Sequence, residues 1–214
     1  MPTYENLPTP LPPDYVALRV MSAGDSLTIF QPLSDIPTGK LPPWGKADDV
    51  VEYRIKLESV LQPEDIKDEV NAIKAMQGEK EALTLKYIDE YKSGALKNKL
   101  INTDTGLEYI VLNEGTGAKP KIGEYVKVHY SGILMANLKP FDNTYQDGRT
   151  YGFPFGEGRV IKGWDEGLGY LQEGAQVVLF VPYTLAYGAS GREPSIPAKA
   201  DLAFYVELVK VESK

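Results

Sequence analysis

The rhythm of apolar and polar residues changes twice along the chain. In Val51, Tyr53, Ile55 and Leu57 the apolar side chains fall at alternate positions, the period of a strand with one face in a core. Asp25–Pro32 and Val50–Val60 are therefore read as strands. Ahead of them Pro8, Pro10, Pro12 and Pro13 withhold backbone donors, so regular structure is expected only after them. Asp14 then serves as N-cap of a short helix, Tyr15–Ala23, which Gly24 ends. From Pro63 to about Leu100 the period lengthens. Ile66, Val70 and Ile73, then Leu83, Tyr87 and Tyr91, recur every three or four residues amid dense Glu and Lys. This predicts a long amphipathic helix or a helix pair, broken or bent near Gly78, with Gly94 close to its end. A solvated connector packing one stripe and a dimerising arm are equal readings of it.

After Thr103-Asp-Thr-Gly106 the period returns to two, through Leu107, Tyr109 and Val111 and then Tyr125–Tyr130. Further strands are expected at Gln176–Val181 and Leu202–Val211, and a short helix at Trp164–Leu171 capped by Gly174. The plan is α+β, an antiparallel sheet with one helix laid across it. The chain also repeats itself. Gly24-Asp-Ser-Leu-Thr-Ile-Phe-Gln-Pro32 matches Gly174-Ala-Gln-Val-Val-Leu-Phe-Val-Pro182 at a fixed offset, and Tyr53-Arg-Ile-Lys-Leu57 then matches Phe204-Tyr-Val-Glu-Leu208. Residues 10–60 thus read as the back half of a second copy of the C-terminal domain.

Composition removes several kinds of chemistry. The 214 residues suit one large or two small domains. With no Cys there is no disulfide, thiolate nucleophile or Cys-ligated zinc, and a single His, His129, rules out a His-cluster metal site. A net charge of −7, from 23 basic and 30 acidic residues, argues against nucleic acid as a partner. No apolar run approaches the ~20 residues of a membrane span. Met1 to Glu5 lack the basic and apolar regions of a signal peptide, so the chain is read as cytoplasmic or as one whose export signal was trimmed.

Several candidate motifs fail. Gly156-Glu-Gly158 is followed next by Gly163, so neither GxGxxG nor a GxxxxGK[ST] phosphate loop is present. Alternation in Val126-Lys-Val-His-Tyr130 puts Val126, Val128 and Tyr130 on one face and His129 with Lys127 on the other, which suits a hydrogen-bonded strand His outside any pocket. Asp165 and Glu166 open the Trp164 helix, where capping the positive helix end explains them. What stands out is aromatic density: Tyr130, Phe141, Tyr151, Phe153, Trp164, Tyr187 and Phe204 crowd the C-terminal half. Trp164 begins a helix directly after Val160-Ile161-Lys-Gly163, held where it could floor a cavity, and Tyr187 lies in a Gly- and Pro-rich loop.

At these residues the chain resembles the FKBP family of peptidyl-prolyl cis-trans isomerases. The motifs are Val128-His-Tyr-Ser-Gly132, Phe141-Asp142, Val160-Ile-Lys-Gly-Trp-Asp-Glu-Gly167, Leu185-Ala-Tyr-Gly188, and Ile196-Pro-Ala-Lys-Ala-Asp-Leu-Ala-Phe-Tyr-Val-Glu-Leu208. They stand in order across residues 106–212, and residues 10–60 look like a degraded partial repeat. The resemblance implies a half-open antiparallel β-sheet wrapped around a short helix. The domains then run 1–62 (partial FKBP-like segment), 63–102 (helical linker) and 103–214 (isomerase domain). It implies a rotamase that needs no cofactor and assists protein folding. Tyr130, Asp142, Trp164, Tyr187 and Phe204 would carry the reaction, with Phe141, Tyr151, Phe153, Val160, Ile161 and Ile196 binding substrate.

Its partners would be Xaa-Pro-containing unfolded or partly folded proteins and macrolides of the rapamycin or tacrolimus type. Self-association as a homodimer would run through the N-terminal segment or the helical linker. Family members with a helical arm ahead of the isomerase domain are often exported in Gram-negative bacteria, which implies the cell envelope or periplasm. Departures from the family pattern bear on substrate preference and inhibitor affinity: Tyr151 replaces a common Phe, Ser195 an aliphatic lip residue and Arg192 a loop His, and residues 143–149 lack an obvious Arg partner for Asp142. The competing readings are a non-catalytic chaperone or peptide-binding module using the same pocket and the N-terminal half-domain, and an assembly protein whose pocket is filled by Pro8–Pro13.

Overall fold

The computed structural model describes residues 20–35, 46, 48–57 and 63–213. Pro8–Pro13, Asp14 and most of the expected Tyr15–Ala23 helix lie outside these, and of 20–23 only Val20 is helical. The chain divides into two compact units, Met1–Asp65 and Ile66–Lys214.

Among its described residues the first unit contains one antiparallel hairpin, β1 (Ser26–Pro32) and β2 (Val50–Lys56). Its half-buried face carries Leu27, Ile29, Val51, Tyr53 and Ile55, as the alternation predicts. The opposite face mixes Thr28, Glu52, Arg54 and Lys56 with exposed Phe30 and Val50, and Arg54 pairs with Glu52 at 2.7 Å along β2.

The second unit holds α1 (Pro63–Ala75) from Ile66 onward, α2 (Gln77–Lys92), β3 (Ile101–Asn102), β4 (Glu108–Asn113), β5 (Tyr125–Leu134), β6 (Pro140–Asn143), β7 (Tyr151–Pro154), α3 (Lys162–Gly169), β8 (Gln176–Val181) and β9 (Leu202–Glu212). The strands are antiparallel in the order β3-β4-β8-β9-β5-β6, and β7 pairs with β5 beside β6. β5 is therefore shared: Ser131–Ile133 take β6, while Tyr125–Val128 take β7. Between these stretches Thr144 closes the edge. Its N–H donates to the Tyr130 carbonyl at 3.1 Å, and its Oγ1 accepts from the Tyr130 N–H at 3.0 Å.

Two apolar layers cover the sheet. On the concave side α3 packs against Val177, Leu179, Val181, Phe204 and Val206. Its approach is close because residue 163 is Gly; a Cβ there would lie 2.5 Å from Val181 Cγ1. On the other side α2 packs against β5 and β9. The buried line of α2 is Lys80, Thr84 and Ile88, flanked by half-buried Leu83, Tyr87 and Tyr91, so the predicted stripe is rotated towards polar residues. Lys80 is only 7% exposed. Its Nζ lies 3.0 Å from Glu79 Oε1 and 5.3 Å from the Tyr205 ring centroid, which supplies the counter-charge and the face that burial demands.

The helical region is a helix pair broken at Met76, two residues from Gly78 and so near the expected position. Two sequence expectations are corrected. α3 ends at Gly169 with Tyr170 as C-cap, so Gly174 (φ +88°) serves the turn into β8. Asp165 does not cap α3; its two oxygens accept from the N–H groups of Gly156 (3.1 Å) and Gly158 (3.0 Å), pinning the preceding loop.

The β1–β2 hairpin matches β8–β9 bond for bond. Leu27 pairs with Ile55 and Ile29 with Tyr53, as Val177 pairs with Val206 and Leu179 with Phe204. Gly24 N–H donates to Leu57 O at 2.6 Å and Gly174 N–H to Leu208 O at 2.7 Å. Both glycines have φ near +90° (+91° and +88°), and both first strands lead into a 3-10 turn, Leu33–Asp35 and Tyr183–Leu185.

Candidate active site

Five elements of the concave side send side chains into a single cavity of about 700 Å³. β5 contributes Tyr130, β6 Phe141 and Asp142, β7 Tyr151, α3 Trp164 and β9 Phe204, while Val160 and Ile161 precede α3 and Tyr187 follows β8. Strand alternation explains why Tyr130 shares the concave face with Val126 and Val128.

Trp164 forms the floor. It is 4% exposed, and the chain enters α3 through Ile161, whose extended backbone (φ −62°, ψ 149°) turns the indole back onto the sheet. The ring meets Tyr130 edge-on at 4.9 Å between centroids (82°) and Phe204 at 5.3 Å (79°). Phe141 stands edge-on to Phe204 at 5.6 Å. Perpendicular contacts of this kind suit the ring quadrupoles and fix each ring against its neighbour. Gly132 makes the wall possible, since a Cβ there would lie 2.8 Å from both Phe141 Cζ and Phe204 Cε1.

Two of the expected residues stand apart from this cavity. Phe153, 2% exposed, lies behind it, against Trp164 (6.2 Å) and Tyr151 (5.4 Å). Ile196 lines an adjoining groove of about 330 Å³ together with Phe141, Asp142, Tyr187 and Arg192. Sequence reasoning missed Arg159 and Lys162 on the cavity wall, and noted Arg192 only as a departure from the family pattern. No periodic signal marks a loop cation as part of a pocket.

The polar groups are few. The Tyr130 hydroxyl donates to Asp142 Oδ2 at 2.7 Å. Burial, then this bond and the carboxylate charge, push the phenol well above its ordinary range, so it stays protonated. The Tyr187 hydroxyl has no hydrogen-bond partner among the described residues. Trp164 Nε1 is likewise buried without one. His129 lies on the opposite face of the sheet, with Nδ1 3.0 Å from Thr144 Oγ1 and its ring stacked on Tyr145 at 5.2 Å. Among the described residues no group of three or more His, Cys, Asp or Glu side chains could hold a metal ion.

Residues 116–209 match the sequence signature of the FKBP-type peptidyl-prolyl cis-trans isomerases. The peptidyl-prolyl cis-trans isomerase FPR2 of Saccharomyces cerevisiae is 40% identical over 121 residues, which span 56% of this chain and 90% of that relative. The chain belongs to this FKBP-type isomerase family. FkpA of Aeromonas hydrophila is 40% identical over 159 residues, covering 73% of this chain, and the aligned part spans 57% of that relative's length. The crystal structure of FkpA from Escherichia coli superposes with a TM-score of 0.52 at 33% identity, over 72% of this chain and 75% of that one. The half-open sheet wrapped around α3 is thus the FKBP fold, and every residue of the aromatic cavity lies within the matched stretch 116–209.

Proposed function

We propose that the whole chain accelerates cis-trans rotation of Xaa-Pro bonds in unfolded or partly folded proteins, and that it does so by desolvating the imide in the aromatic cavity. The observation that carries this is the buried indole of Trp164, ringed by Tyr130 and Phe204 and open to an apolar hollow wide enough for a prolyl ring. Rotation must break amide resonance, a barrier of about 18–20 kcal/mol. The planar amide is the more charge-separated form, so transfer from water to an apolar wall raises it relative to the twisted, less polar transition state. No bond to the protein forms and no proton moves. A rate gain of about 10⁴ requires only about 5.4 kcal/mol, within the reach of desolvation plus one or two oriented hydrogen bonds.

In this reading Trp164 lies under the prolyl ring, and Phe141, Val160, Ile161 and Phe204 wall it, with Tyr151 at the mouth. Phe153 acts from behind by holding Trp164, and Ile196 shapes the groove beside the cavity. The free Tyr187 hydroxyl holds the imide carbonyl of the residue preceding proline. Asp142 orients the Tyr130 hydroxyl and accepts no proton. The same apolar hollow suits macrolides of the rapamycin or tacrolimus type. NMR exchange spectroscopy on an Xaa-Pro peptide tests the reading: micromolar protein broadens or transfers the cis and trans signals, and unaltered exchange removes the enzyme.

We further infer that 1–62 is a partial FKBP-like segment, 63–102 a helical segment and 103–214 the isomerase domain. The shared register of β1–β2 and β8–β9 supports the partial repeat. Tyr53 stands where Phe204 stands, but no equivalent of Trp164 or Tyr187 accompanies it in the described part, so this hairpin serves docking or assembly. The likeness to FkpA supports a place in the cell envelope or periplasm of a Gram-negative bacterium. No described helix is long and apolar enough to cross a membrane.

A further inference from the structure

The chain carries a net charge of −7, yet the lining of the aromatic cavity holds three cations against two carboxylates. Arg159, Lys162 and Arg192 line it beside Asp142 and Asp165. Both carboxylates are engaged, Asp142 by the Tyr130 hydroxyl and Asp165 by two backbone N–H groups. The three cations are exposed, and none forms an ion pair among the described residues. Arg192 is the best placed of them. Its guanidinium carbon lies 6.0 Å from the centroid of the Tyr187 ring, and it lines both the main cavity and the groove that continues past Ile196.

We propose that Arg192, reinforced by Arg159 and Lys162, makes the isomerase selective for segments in which the residue preceding proline is Asp or Glu. This rests on the isomerase reading above. If the Tyr187 hydroxyl holds the imide carbonyl, that carbonyl belongs to the preceding residue, whose side chain then leaves the cavity on the side of Tyr187 and Arg192. A carboxylate there meets a planar guanidinium that has five donors and forms no ion pair with Glu193 or Asp142, which line the same groove. The other two cations add a field that raises encounter with acidic segments and falls with salt.

The test uses the full chain and four peptides of the form Ala-Xaa-Pro-Phe, with Xaa = Glu, Gln, Leu or Lys, read by NMR exchange at low and high salt. Glu-Pro is expected to exceed Gln-Pro in kcat/KM. Arg192→Glu should lower the Glu/Gln ratio by about fivefold, the scale of one exposed charge pair, and raise the Lys/Gln ratio. Arg192→Gln should shift both ratios part of the way, and high salt should shrink all these differences. Equal Glu/Gln ratios in wild type and Arg192→Glu, with Leu-Pro still turned over, overturn the selectivity and leave the isomerase standing. No turnover of any peptide overturns both.

Discussion

The Tyr130 hydroxyl and the Asp142 carboxylate meet at 2.7 Å, joining the inner strand β5 to the edge strand β6 across the mouth of the aromatic cavity. Asp142 is exposed on its other side, so the bond orients the phenol rather than burying a charge. Tyr130→Phe and Asp142→Ala should each lower kcat/KM by about three- to tenfold, the scale of one charge-assisted hydrogen bond at a partly exposed site. Because both remove the same bond, the double variant should lose little more than either single one. Additive losses in a double-mutant cycle would show that Asp142 acts on the substrate by another route.

Gly132 is the position where the least added volume does the most harm. Gly132→Ala must displace both Phe141 and Phe204, each 2.8 Å from the new methyl. Stability should fall by about 1–3 kcal/mol in urea denaturation, the usual cost of overpacking, with kcat/KM falling about tenfold. Full turnover in this variant would mean that the Phe141–Phe204 wall is dispensable.

Activity and stability should respond differently to pH. The reaction moves no proton and the Tyr130 phenol is held protonated, so kcat/KM should stay flat between about pH 6 and pH 9. Stability should not. Burial lowers the affinity of His129 for a proton, against the opposing pull of Glu207. Its folded value therefore lies below the unfolded value of about 6.5. The stabilisation is complete above that unfolded value and is lost as pH falls through the folded one, because the unfolded chain takes up the proton first. His129→Gln should flatten this acid limb in denaturation curves at about pH 5 to pH 7; an unchanged slope would assign it to other groups.

Trp164→Ala combined with Tyr187→Phe should abolish turnover in the full chain. The β1–β2 hairpin shares the β8–β9 register but has neither residue's counterpart among the described positions. Residual activity near wild type would place a second prolyl site in the chain.

The fold was legible where chemistry and period agreed. Gln176–Val181 and Leu202–Glu212 alternate or run apolar because both faces of the sheet are covered, and they appear where the pattern puts them. α2 was harder to read, since its buried line includes Lys80 and Thr84. The lysine is satisfied by Glu79 and the Tyr205 face, and Thr84 Oγ1 donates to the Lys80 carbonyl at 2.7 Å. No hydropathy pattern encodes such pairings. Asp165 misled for a related reason: an acid in the first turn looks like a helix cap, but here the loop ahead of the helix offers two closer N–H groups. The aromatic residues of the cavity were visible by type and motif, whereas Arg159 and Lys162 look in sequence like any solvated loop charge.

The most direct measurement is exchange spectroscopy on a Leu-Pro peptide with the full chain and with Trp164→Leu, a variant that keeps the hollow apolar but removes the aromatic floor. The account predicts that wild type at micromolar concentration speeds exchange well beyond the uncatalysed tens to hundreds of seconds, and that the variant, shown folded by its denaturation curve, loses at least about tenfold of that gain. Equal acceleration by a folded Trp164→Leu chain, or none by wild type, would contradict it.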